Sequence, residues 1–583
     1  MRADNAGDDA RAATLRTSGA PVLAGRTPGS GASSNVARHL REAALREPDR
    51  CALRVPPDGG AMMSAPRHLE RTFAELDRET DAAAAYFARR GIVSGCRTLL
   101  LARPGLDLIL SMFALLKLGA VPVAIDPGMG LRPFLRCVEG VRPGAVVGVP
   151  AALAVTWFFR GAFRDVETRV CIGTAGFGRR LREAAGTIPP GGFPLFCAAP
   201  ETPAAVLFTS GSTGAPKGAL YTHGMFDAQL ALVREAYGIR PGEVDMPMLP
   251  VFALFNPALG ATTVTPRMNP ARPATMDPAH IVRVIERDGV TCSFGSPALW
   301  ARIVRYCEPR GIVLPGVRRI LSAGAPVHPR LLRSLRAVFP SAVVHTPYGA
   351  TEVLPVSSIE AGEVLGGTWR ETLRGGGTCV GRPLQGVRVR IIPVRDGPFS
   401  GADGIAGLPS GEVGEILVNA PSCTHEYYAN PEATRLAKVR APDGSVWHRM
   451  GDVGRLDQEG RLWFLGRKAE IVTTAAGPLY TEACEPVFNA HPRVARTALI
   501  GLGPAGAQAP ALVVEPLPGG FPRTAAARAR FDSELRALGA GTSATAGISR
   551  FFYQRKLPVD SRHNAKIHRL ALARKWAARD ARG

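Results

Sequence analysis

The chain has 583 residues, more than one hydrophobic core ordinarily holds, so its length predicts two or more domains. Hydrophobic residues make up 46% and charged residues 21%, which excludes a fibrous or wholly disordered protein. The formal charge is +22, but only seven of the 71 basic residues are lysines, and the arginines form no long run. We interpret the charge as a solvated basic surface and predict no nucleic-acid partner; a role at nucleic acid or an anionic membrane is the alternative.

Residues 1–34 are rich in Gly, Ala, Ser, Arg and Asp, which predicts a disordered tail without an apolar signal segment. From residue 35 onward, short apolar runs alternate with helical patterns, an order typical of mostly parallel α/β sheets. The predicted strands are Thr98–Leu101, Val121–Ile125, Ala145–Val149, Ala204–Thr209, Val290–Phe294, Ile320–Ser322 and Val343–Thr346. The predicted helices include Leu106–Leu118, Ile281–Asp288 and Pro329–Val338.

The most apolar stretch, Leu106–Ile125, contains Asp107, Lys117 and Pro122, so it favours a buried helix and strand over a membrane span. The ten cysteines are at least 15 positions apart and form no Cys-x-x-Cys pair for a metal or redox exchange. We interpret them as reduced thiols. Together these features predict a cytoplasmic protein with no transmembrane segment.

Residues 370–465 carry many glycines and short alternating runs, including Val387–Pro393 and Gly414–Val418, which predict a small antiparallel β region. About 115 residues follow Gly466, and within them Pro516–Pro522 is typical of a loop. The predicted fold class is therefore α/β: a large N-terminal domain of stacked α/β sheets plus a small β region, at 35–466. A small mobile α+β C-terminal domain is predicted at 467–583.

A loop rich in glycine and hydroxyl groups follows the apolar strand end at Phe208. Glycines let backbone amides approach an anion, hydroxyls donate hydrogen bonds and a lysine supplies charge, a combination that suits a polyphosphate. The loop does not match Gly-x-x-x-x-Gly-Lys-Ser/Thr, so it is not a Walker A loop. On spacing alone, a flexible surface loop is the alternative. Its residues are Thr209, Ser210, Gly211, Ser212, Thr213, Gly214, Ala215, Pro216 and Lys217.

Five further motifs follow in a fixed order: Ser322–Pro326, Tyr348–Glu352, Gly451-Asp452, Gly466-Arg467 and Asn564–Lys566. With the glycine-rich loop, they resemble the adenylate-forming superfamily of acyl-CoA synthetases, luciferase and peptide-synthetase adenylation domains. The resemblance covers nearly the whole chain from about residue 35. It implies two cofactors, ATP and Mg²⁺, and activation of a carboxylic acid as an acyl-adenylate.

The resemblance also implies a role for each motif residue. ATP brings several negative charges to an anionic carboxylate, so cations and aligned donors must offset the repulsion. Lys566, Glu352 and Lys217 are the implied catalytic residues, with Glu352 and Thr209 at the metal. The implied ATP-binding residues are the loop residues Thr209 to Gly214 and Lys217, then Gly324, Ala325, Pro326, Tyr348, Gly349, Ala350, Thr351, Asp452 and Arg467. Positions that depart from the common pattern are Met450, Ala469, Glu470 and Ala565.

A closer resemblance concerns the second half of the reaction. The segments Met248–Pro257, Asn269–Pro278, Thr346–Val356, Gly477–Glu482 and His563–Ile567 are similar to those of β-lactone synthetases from bacterial long-chain olefin pathways. In that group a β-hydroxy acid is adenylated, and its hydroxyl then attacks its own carbonyl to give a β-lactone, AMP and pyrophosphate. The resemblance also implies assembly with a β-lactone decarboxylase and a reductase.

Two alternatives remain at this point: a long- or medium-chain fatty acid–CoA or acyl-AMP ligase, and a non-catalytic nucleotide or lipid binder. His223 and His345 are candidates by position for the base that accepts the hydroxyl proton, although histidines there more often serve a structural hydrogen bond. The apolar segment Leu249–Leu259 is a candidate lining of the acyl pocket, and an ordinary core segment is the alternative.

Overall fold

A computed structural model describes residues 33–56, 68–209, 216–269, 272–399, 406–560 and 566–580. From Ser34 onward the described residues belong to one compact unit. The predicted tail, residues 1–34, lies outside the described residues except for Ser33 and Ser34. Across the described residues, no helix is both long and apolar enough to cross a membrane.

The strands give the chain its framework. In chain order they are β1 (Cys51–Val55), β2 (Leu69–Thr72), β3 (Arg97–Leu101), β4 (Val121–Ala124), β5 (Ala145–Gly148), β6 (Thr168–Cys171), β7 (Pro203–Thr209), β8 (Lys217–Thr222), β9 (Val244–Pro247), β10 (Thr262–Val264), β11 (Cys292–Gly295), β12 (Arg319–Ser322), β13 (Val343–Ala350), β14 (Val353–Glu360), β15 (Thr378–Pro383), β16 (Arg388–Ile392), β17 (Gly414–Asn419), β18 (Lys438–Arg440), β19 (Val446–Leu456), β20 (Leu462–Arg467), β21 (Val472–Thr474), β22 (Gly477–Leu479), β23 (Val494–Leu502), β24 (Ala509–Pro516) and β25 (Arg550–Tyr553).

The helices lie between the strands for most of the chain. They are α1 (Arg38–Arg46), α2 (Phe73–Arg89), α3 (Leu106–Leu118), α4 (Leu131–Val141), α5 (Pro150–Phe158), α6 (Ala175–Ala185), α7 (His223–Tyr237), α8 (Asn256–Leu259), α9 (Pro278–Arg287), α10 (Pro297–Cys307), α11 (Pro329–Val338), α12 (Ala361–Glu363), α13 (Trp369–Leu373), α14 (Pro431–Ala437), α15 (Thr481–Asn489), α16 (Ala525–Gly539) and α17 (Arg569–Asp580). A 3₁₀ turn at Pro250–Leu254 precedes α8.

Helix α3 shows how local sequence sets an element. It is buried on nearly all sides, which agrees with its almost unbroken apolar sequence. It ends at Gly119, whose φ of 71° is left-handed and whose absent Cβ would lie 2.4 Å from the ring of Phe196. A side chain at that position would therefore both strain the backbone and collide with Phe196.

The strands form two large sheets, as the α/β prediction required. One sheet runs β6-β5-β3-β4-β7-β8 and is parallel except for the edge strand β8. The other runs β16-β17-β19-β20-β15-β14-β13-β12-β11-β9-β10-β1-β2, with its parallel pairs from β13 to β1. Helices α2 and α3 pack against each other in a core that also takes residues from α1, α6 and α8.

The predicted antiparallel region at 370–465 is confirmed, but it does not stand apart as a separate sheet. Strands β14 and β15 pair with each other and join it to the parallel part. Strand β13 extends to Ala350, beyond the predicted end at Thr346, because its antiparallel pairing with β14 continues past Tyr348. The last segment forms its own sheet, β23-β24-β25, beside α15, α16 and α17, which agrees with the predicted α+β character.

Candidate active site

The candidate phosphate loop connects the antiparallel strands β7 and β8, in which Thr209 lies opposite Lys217. A Walker A loop leads into a helix, whereas this loop leads into a strand. The predicted phosphate contacts Ser210, Gly211, Ser212, Thr213 and Gly214 lie outside the described residues, as does the side chain of Thr209. Lys217 is described and half-buried, and it fixes the position of the loop's far end.

Lys217 and Glu352 are linked through Tyr427, an aromatic residue that stands between them. The Lys217 ammonium lies 5.2 Å from the centroid of the Tyr427 ring, and the Tyr427 hydroxyl donates to Glu352 Oε1 at 2.7 Å. Lys438 lies 5.8 Å from the same ring and donates to Thr424 Oγ1 at 3.0 Å. Burial lowers the pKa of Lys438. A buried carboxylate, an aromatic face and two lysines therefore share one small volume.

The turn between β13 and β14 holds Glu352 in place. The carbonyl oxygen of Glu352 accepts hydrogen bonds from the backbone N–H of Thr424 at 2.8 Å and from its hydroxyl at 3.2 Å. The preceding carbonyl, that of Thr351, accepts from the Tyr221 hydroxyl. At Gly349 an added Cβ would lie 2.9 Å from the Cβ of Leu354, so the turn closes tightly only with glycine there. The Glu352 carboxylate is thus positioned by backbone contacts as well as by Tyr427.

Asp452 lies between Tyr348 and Arg467. The Tyr348 hydroxyl donates to Asp452 Oδ2 at 2.6 Å, and Arg467 Nη1 forms an ion pair with Asp452 Oδ1 at 2.7 Å. Asp452 and Arg467 are opposite each other in the β19–β20 pairing. Oδ1 is buried and has no well-aligned hydrogen-bond donor among the described residues, so the contact with Arg467 is ionic. This atom can still accept a hydrogen bond from a ligand hydroxyl.

The pKa of Asp452 reflects competing effects. Burial raises it, while the charge of Arg467, the hydrogen bond from Tyr348 and the charge of Lys566 oppose that rise. The charge of Lys566 thus acts on the pKa of a carboxylate that precedes it by more than a hundred positions in the sequence. The roles of Asp452 and Lys566 at a nucleotide remain predictions.

Gly324, Ala325 and Pro326 follow the carboxyl end of β12. Gly324 has a φ of 99°, and the preceding residue, Ala323, donates its N–H to Gly295 O at 3.2 Å. Strands β11, β12 and β13 run parallel here, so this segment and Tyr348 lie at the same edge of the sheet. Ligands of open α/β sheets bind at the carboxyl ends of the strands, and this edge is where the candidate nucleotide residues gather.

The segment that carries Lys566 is fastened by Asp560 and Arg569. The backbone N–H of Lys566 donates to Asp560 Oδ1 at 2.8 Å. Arg569, three residues later, pairs with Glu485 at 2.7 Å and with Glu470 at 2.9 Å. Glu470 departs from the common family pattern, and the structure shows what its carboxylate contacts.

The two neighbours of the candidate hinge position, Ala469, contact different parts of the chain. Lys468 donates to the carbonyl of Arg395 and lies 3.5 Å from Glu415, both in the part of the chain before the hinge. Glu470 instead contacts Arg569, in the part after it. A rotation at Ala469 would leave each anchor intact on its own side. The predicted domain boundary between 466 and 467 remains a prediction.

The two candidate histidines have different surroundings. His223 is fully buried, its Nδ1 accepts from the backbone N–H of Val36 at 3.2 Å, and burial lowers its pKa to about 4. That contact favours a structural role for His223. His345 is half-buried, lies edge-on to Tyr237 with ring centroids 5.3 Å apart, and burial lowers its pKa. His345 therefore contacts a residue, Tyr237, that lines the cavity described next.

A cavity of about 90 Å³ lies beside these residues. The predicted segment Leu249–Leu259 contributes part of its wall, through Phe252, Phe255, Asn256 and Leu259. Pro347 and Leu354 also line it, and they flank the Tyr348 to Glu352 motif. An apolar cavity next to candidate nucleotide residues is the arrangement expected of a site that binds an acyl chain.

Comparison with known proteins agrees with this geometry. A family model described as AMP-binding enzyme matches residues 40–428, well over half of the chain. This chain belongs to the AMP-binding enzyme family. It is 47% identical over 554 residues to an olefin beta-lactone synthetase of Xanthomonas campestris pv. campestris, a match that covers 93% of this chain and 97% of that protein. It is 45% identical over 553 residues to an olefin beta-lactone synthetase of Stenotrophomonas maltophilia, covering 93% and 98%.

The fold of this AMP-binding enzyme is also found among solved structures. An amide bond synthetase from Marinactinospora thermotolerans superposes with a TM-score of 0.74, at 23% identity, over 93% of this chain and 99% of that one. The likeness confirms the fold class. Membership of the family also supports the predicted use of ATP.

Sequence reasoning missed several residues of the site in this AMP-binding enzyme. Tyr427 and Lys438 were not singled out, although Lys438 is one of only seven lysines and its rarity was an available signal. Tyr221 gave no signal, because it contacts Thr351 only after the two sheets come together. Asp245, which lines the cavity, lies in a strand that precedes the Met248–Pro257 segment and was not part of it.

Proposed function

We propose that this AMP-binding enzyme activates a β-hydroxy acid with ATP and closes the acyl-adenylate to a β-lactone. The observation that carries the proposal is the 45–47% identity to two olefin beta-lactone synthetases over 93% of the chain. The cavity beside Tyr348 and Glu352 supports it, because an acyl chain in that cavity would present its carboxylate to the nucleotide residues. Nothing in the described site favours the fatty acid–CoA ligase alternative over this reaction.

The first step is adenylation. A carboxylate oxygen attacks the α-phosphorus of ATP, and the bond to pyrophosphate breaks. Lys566 would bridge the carboxylate and the α-phosphate, and Lys217 would bind phosphate oxygens, because both ammonium groups offset the charge that accumulates there. Asp452 would accept hydrogen bonds from the ribose hydroxyls. Tyr348, beside Asp452, would contact the adenine.

The donor set near Glu352 fits Mg²⁺. Its carboxylate is a hard oxygen ligand, and no group of three or more His, Cys, Asp or Glu able to hold a metal occurs in the described part of the chain. Glu352, with Thr209, would therefore hold the ion together with phosphate oxygens, as is usual for Mg²⁺ at ATP sites. When bound, the ion neutralises phosphate charge. Tyr427 fixes the Glu352 carboxylate by its hydrogen bond to Oε1, which leaves Oε2 as the oxygen that would bind the ion.

The second step forms the ring. The β-hydroxyl oxygen attacks the carbonyl carbon of the adenylate, the hydroxyl proton leaves, and AMP departs. A tethered nucleophile needs no second substrate, so orientation lowers the barrier, although ring strain keeps the gain below the ~7–11 kcal/mol of favourable cases. The apolar cavity wall would hold the chain bent and exclude the water that hydrolyses the adenylate. His345, which contacts the lining residue Tyr237, is the candidate base that would accept the hydroxyl proton.

A strained lactone needs an enzyme that consumes it. We propose assembly with a β-lactone decarboxylase and a reductase, the partners implied by the resemblance to olefin pathways. Co-purification of the three proteins, and transfer of lactone without release to the solution, would support assembly. Lactone that always appears free in solution, with no complex by size-exclusion chromatography, would count against it.

The decisive assay omits coenzyme A. The protein is incubated with ATP, Mg²⁺ and a 2-alkyl-3-hydroxy acid, and the products are followed by NMR. A β-lactone with equal amounts of AMP and pyrophosphate is expected. A thioester on adding coenzyme A, with no lactone in its absence, would refute ring formation in favour of the ligase. No AMP in either mixture would show a nucleotide binder without activity.

A further inference from the structure

The floor of the acyl cavity carries one carboxyl group that the proposed mechanism does not use. Asp245 lies on β9 and lines the cavity, whose other walls include Phe252, Phe255 and Leu259. Strand β9 lies between β10 and β11 in the parallel sheet, a position that ordinarily takes an apolar residue on both faces. A carboxyl group at such a place is costly unless something hydrogen-bonds to it.

The protein fills only part of the hydrogen-bonding capacity of this carboxyl group. Asn256 Nδ2 donates to Asp245 Oδ2 at 2.8 Å, and this is the one hydrogen bond of the Asp245 carboxyl group within the described residues. The nearest cation, Arg319, is committed elsewhere: its guanidinium forms two hydrogen bonds with Glu243, at 2.6 Å and 3.0 Å. Asp245 therefore keeps hydrogen-bonding capacity that faces the cavity.

The register of the sheet sets the depth of this group. Asp245 pairs with Cys292, and Cys292 pairs with Arg319, so the three share one row across β9, β11 and β12. Ser322, which begins the candidate adenine segment, is three residues beyond Arg319. At about 3.3 Å per residue, Asp245 lies roughly 10 Å below the edge where the carboxylate would react. A β-hydroxyl, two carbons from that carboxylate, does not reach it.

We propose that Asp245, oriented by Asn256, is a specificity-determining residue that selects β-hydroxy acids bearing a second hydrogen-bonding group, a hydroxyl or carbonyl, farther along the chain. The inference rests on the proposed function and names the substrate class of the same cavity. A plain alkyl chain would cover the Asp245 carboxyl group without forming a hydrogen bond to it. A chain with a hydroxyl at that depth would form this hydrogen bond, and sites built to bind a hydroxyl discriminate strongly against analogues that lack one.

Burial raises the pKa of Asp245 to about 7, with the hydrogen bond from Asn256 and the charge of Arg319 opposing the rise and the charge of Glu243 adding to it. The thiol of Cys292, which contacts Glu243, is the remaining titratable group in this row. Near neutral pH, Asp245 therefore exists in both forms: the acid donates to a carbonyl or hydroxyl, and the anion accepts from a hydroxyl. Both forms can pair with a hydroxylated chain, and neither can pair with an alkyl chain.

The test compares 3-hydroxy acids of equal length, with and without a second hydroxyl placed at successive carbons, by kcat/KM for pyrophosphate release. The wild-type protein should prefer one hydroxylated position by about 10- to 100-fold, mainly through KM. Asp245→Val should abolish the preference, Asp245→Asn should keep part of it, and Asp457→Asn, outside the cavity, should leave it unchanged. Asn256→Leu, which removes the orienting amide, should weaken the preference for the hydroxylated acid. This variant replaces Asp245→Val in the test if the valine variant does not fold.

The outcomes separate this inference from the proposed function. Pyrophosphate release without discrimination between the acids overturns the role of Asp245 alone. Discrimination that survives in Asp245→Val overturns it as well, because another residue must then recognise the hydroxyl. No release of pyrophosphate with any acid overturns the proposed function and this inference together.

Discussion

Replacing Asp245 by asparagine should change how the stability of the protein depends on pH. The side chains are nearly equal in volume, but only aspartate titrates. Burial raises the pKa of Asp245 to about 7 in the folded protein, against an ordinary value of 3.8. The folded state therefore binds this proton more tightly than the unfolded state. The stabilisation is complete below pH 3.8 and is lost as the pH rises through about 7.

The size of the effect follows from these two values. Between pH 5 and pH 8 the wild-type protein should lose about 2.7 kcal/mol of unfolding free energy relative to Asp245→Asn, at 1.36 kcal/mol per pH unit. Because the carboxyl group lines a cavity that can admit water, screening reduces this to about 1–2 kcal/mol. The free energy of unfolding of the asparagine variant should thus rise steadily relative to that of the wild type between pH 5 and pH 8.

Urea unfolding of both proteins at pH 5, 6, 7 and 8 measures the difference, because other titrating groups are common to both and cancel. Asp457→Asn is the matched control. Burial raises the pKa of Asp457, but hydrogen bonds from Trp463 and Arg461 lower it further, so this pKa lies below its ordinary value. The difference in free energy of unfolding between this control and the wild type should not change with pH over this range. For Asp245→Asn, a difference that does not change with pH, or one that increasingly favours the wild type as the pH rises, would refute the reasoning.

Three further outcomes are expected. Lys566→Ala should lower pyrophosphate release by at least ~10²–10³-fold while calorimetry still detects ATP binding; normal release would contradict its catalytic role. Asp452→Asn should weaken ATP binding about 10-fold, because an amide accepts fewer hydrogen bonds than a carboxylate, and an unchanged Kd would argue against ribose contact. Tyr427→Phe leaves the buried Glu352 carboxylate without its donor, so urea unfolding should show a loss of about 1–3 kcal/mol; equal stability would show that water replaces the hydroxyl.

Most of the fold could be predicted from local patterns. The bounds of α3 and α11 are the same in the sequence prediction and in the structure, because each has a continuous helical pattern and a clear end, Gly119 after α3 and Pro329 at the start of α11. The extent of β13 could not be predicted, because it depends on pairing with β14 across a turn. Long-range pairing likewise joined the antiparallel region to the parallel sheet.

The class of chemistry could be predicted from the order of short motifs along the chain. The glycine-rich loop, ambiguous on its own spacing, became a candidate ATP site once five motifs followed it in order, because each motif's chemistry is carried by a few adjacent residues. The tertiary structure alone decided which distant groups meet. Tyr427 meets Lys217 and Glu352, and Asn256 meets Asp245, because the packing of loops and helices against the sheets brings these side chains together, which no local pattern encodes.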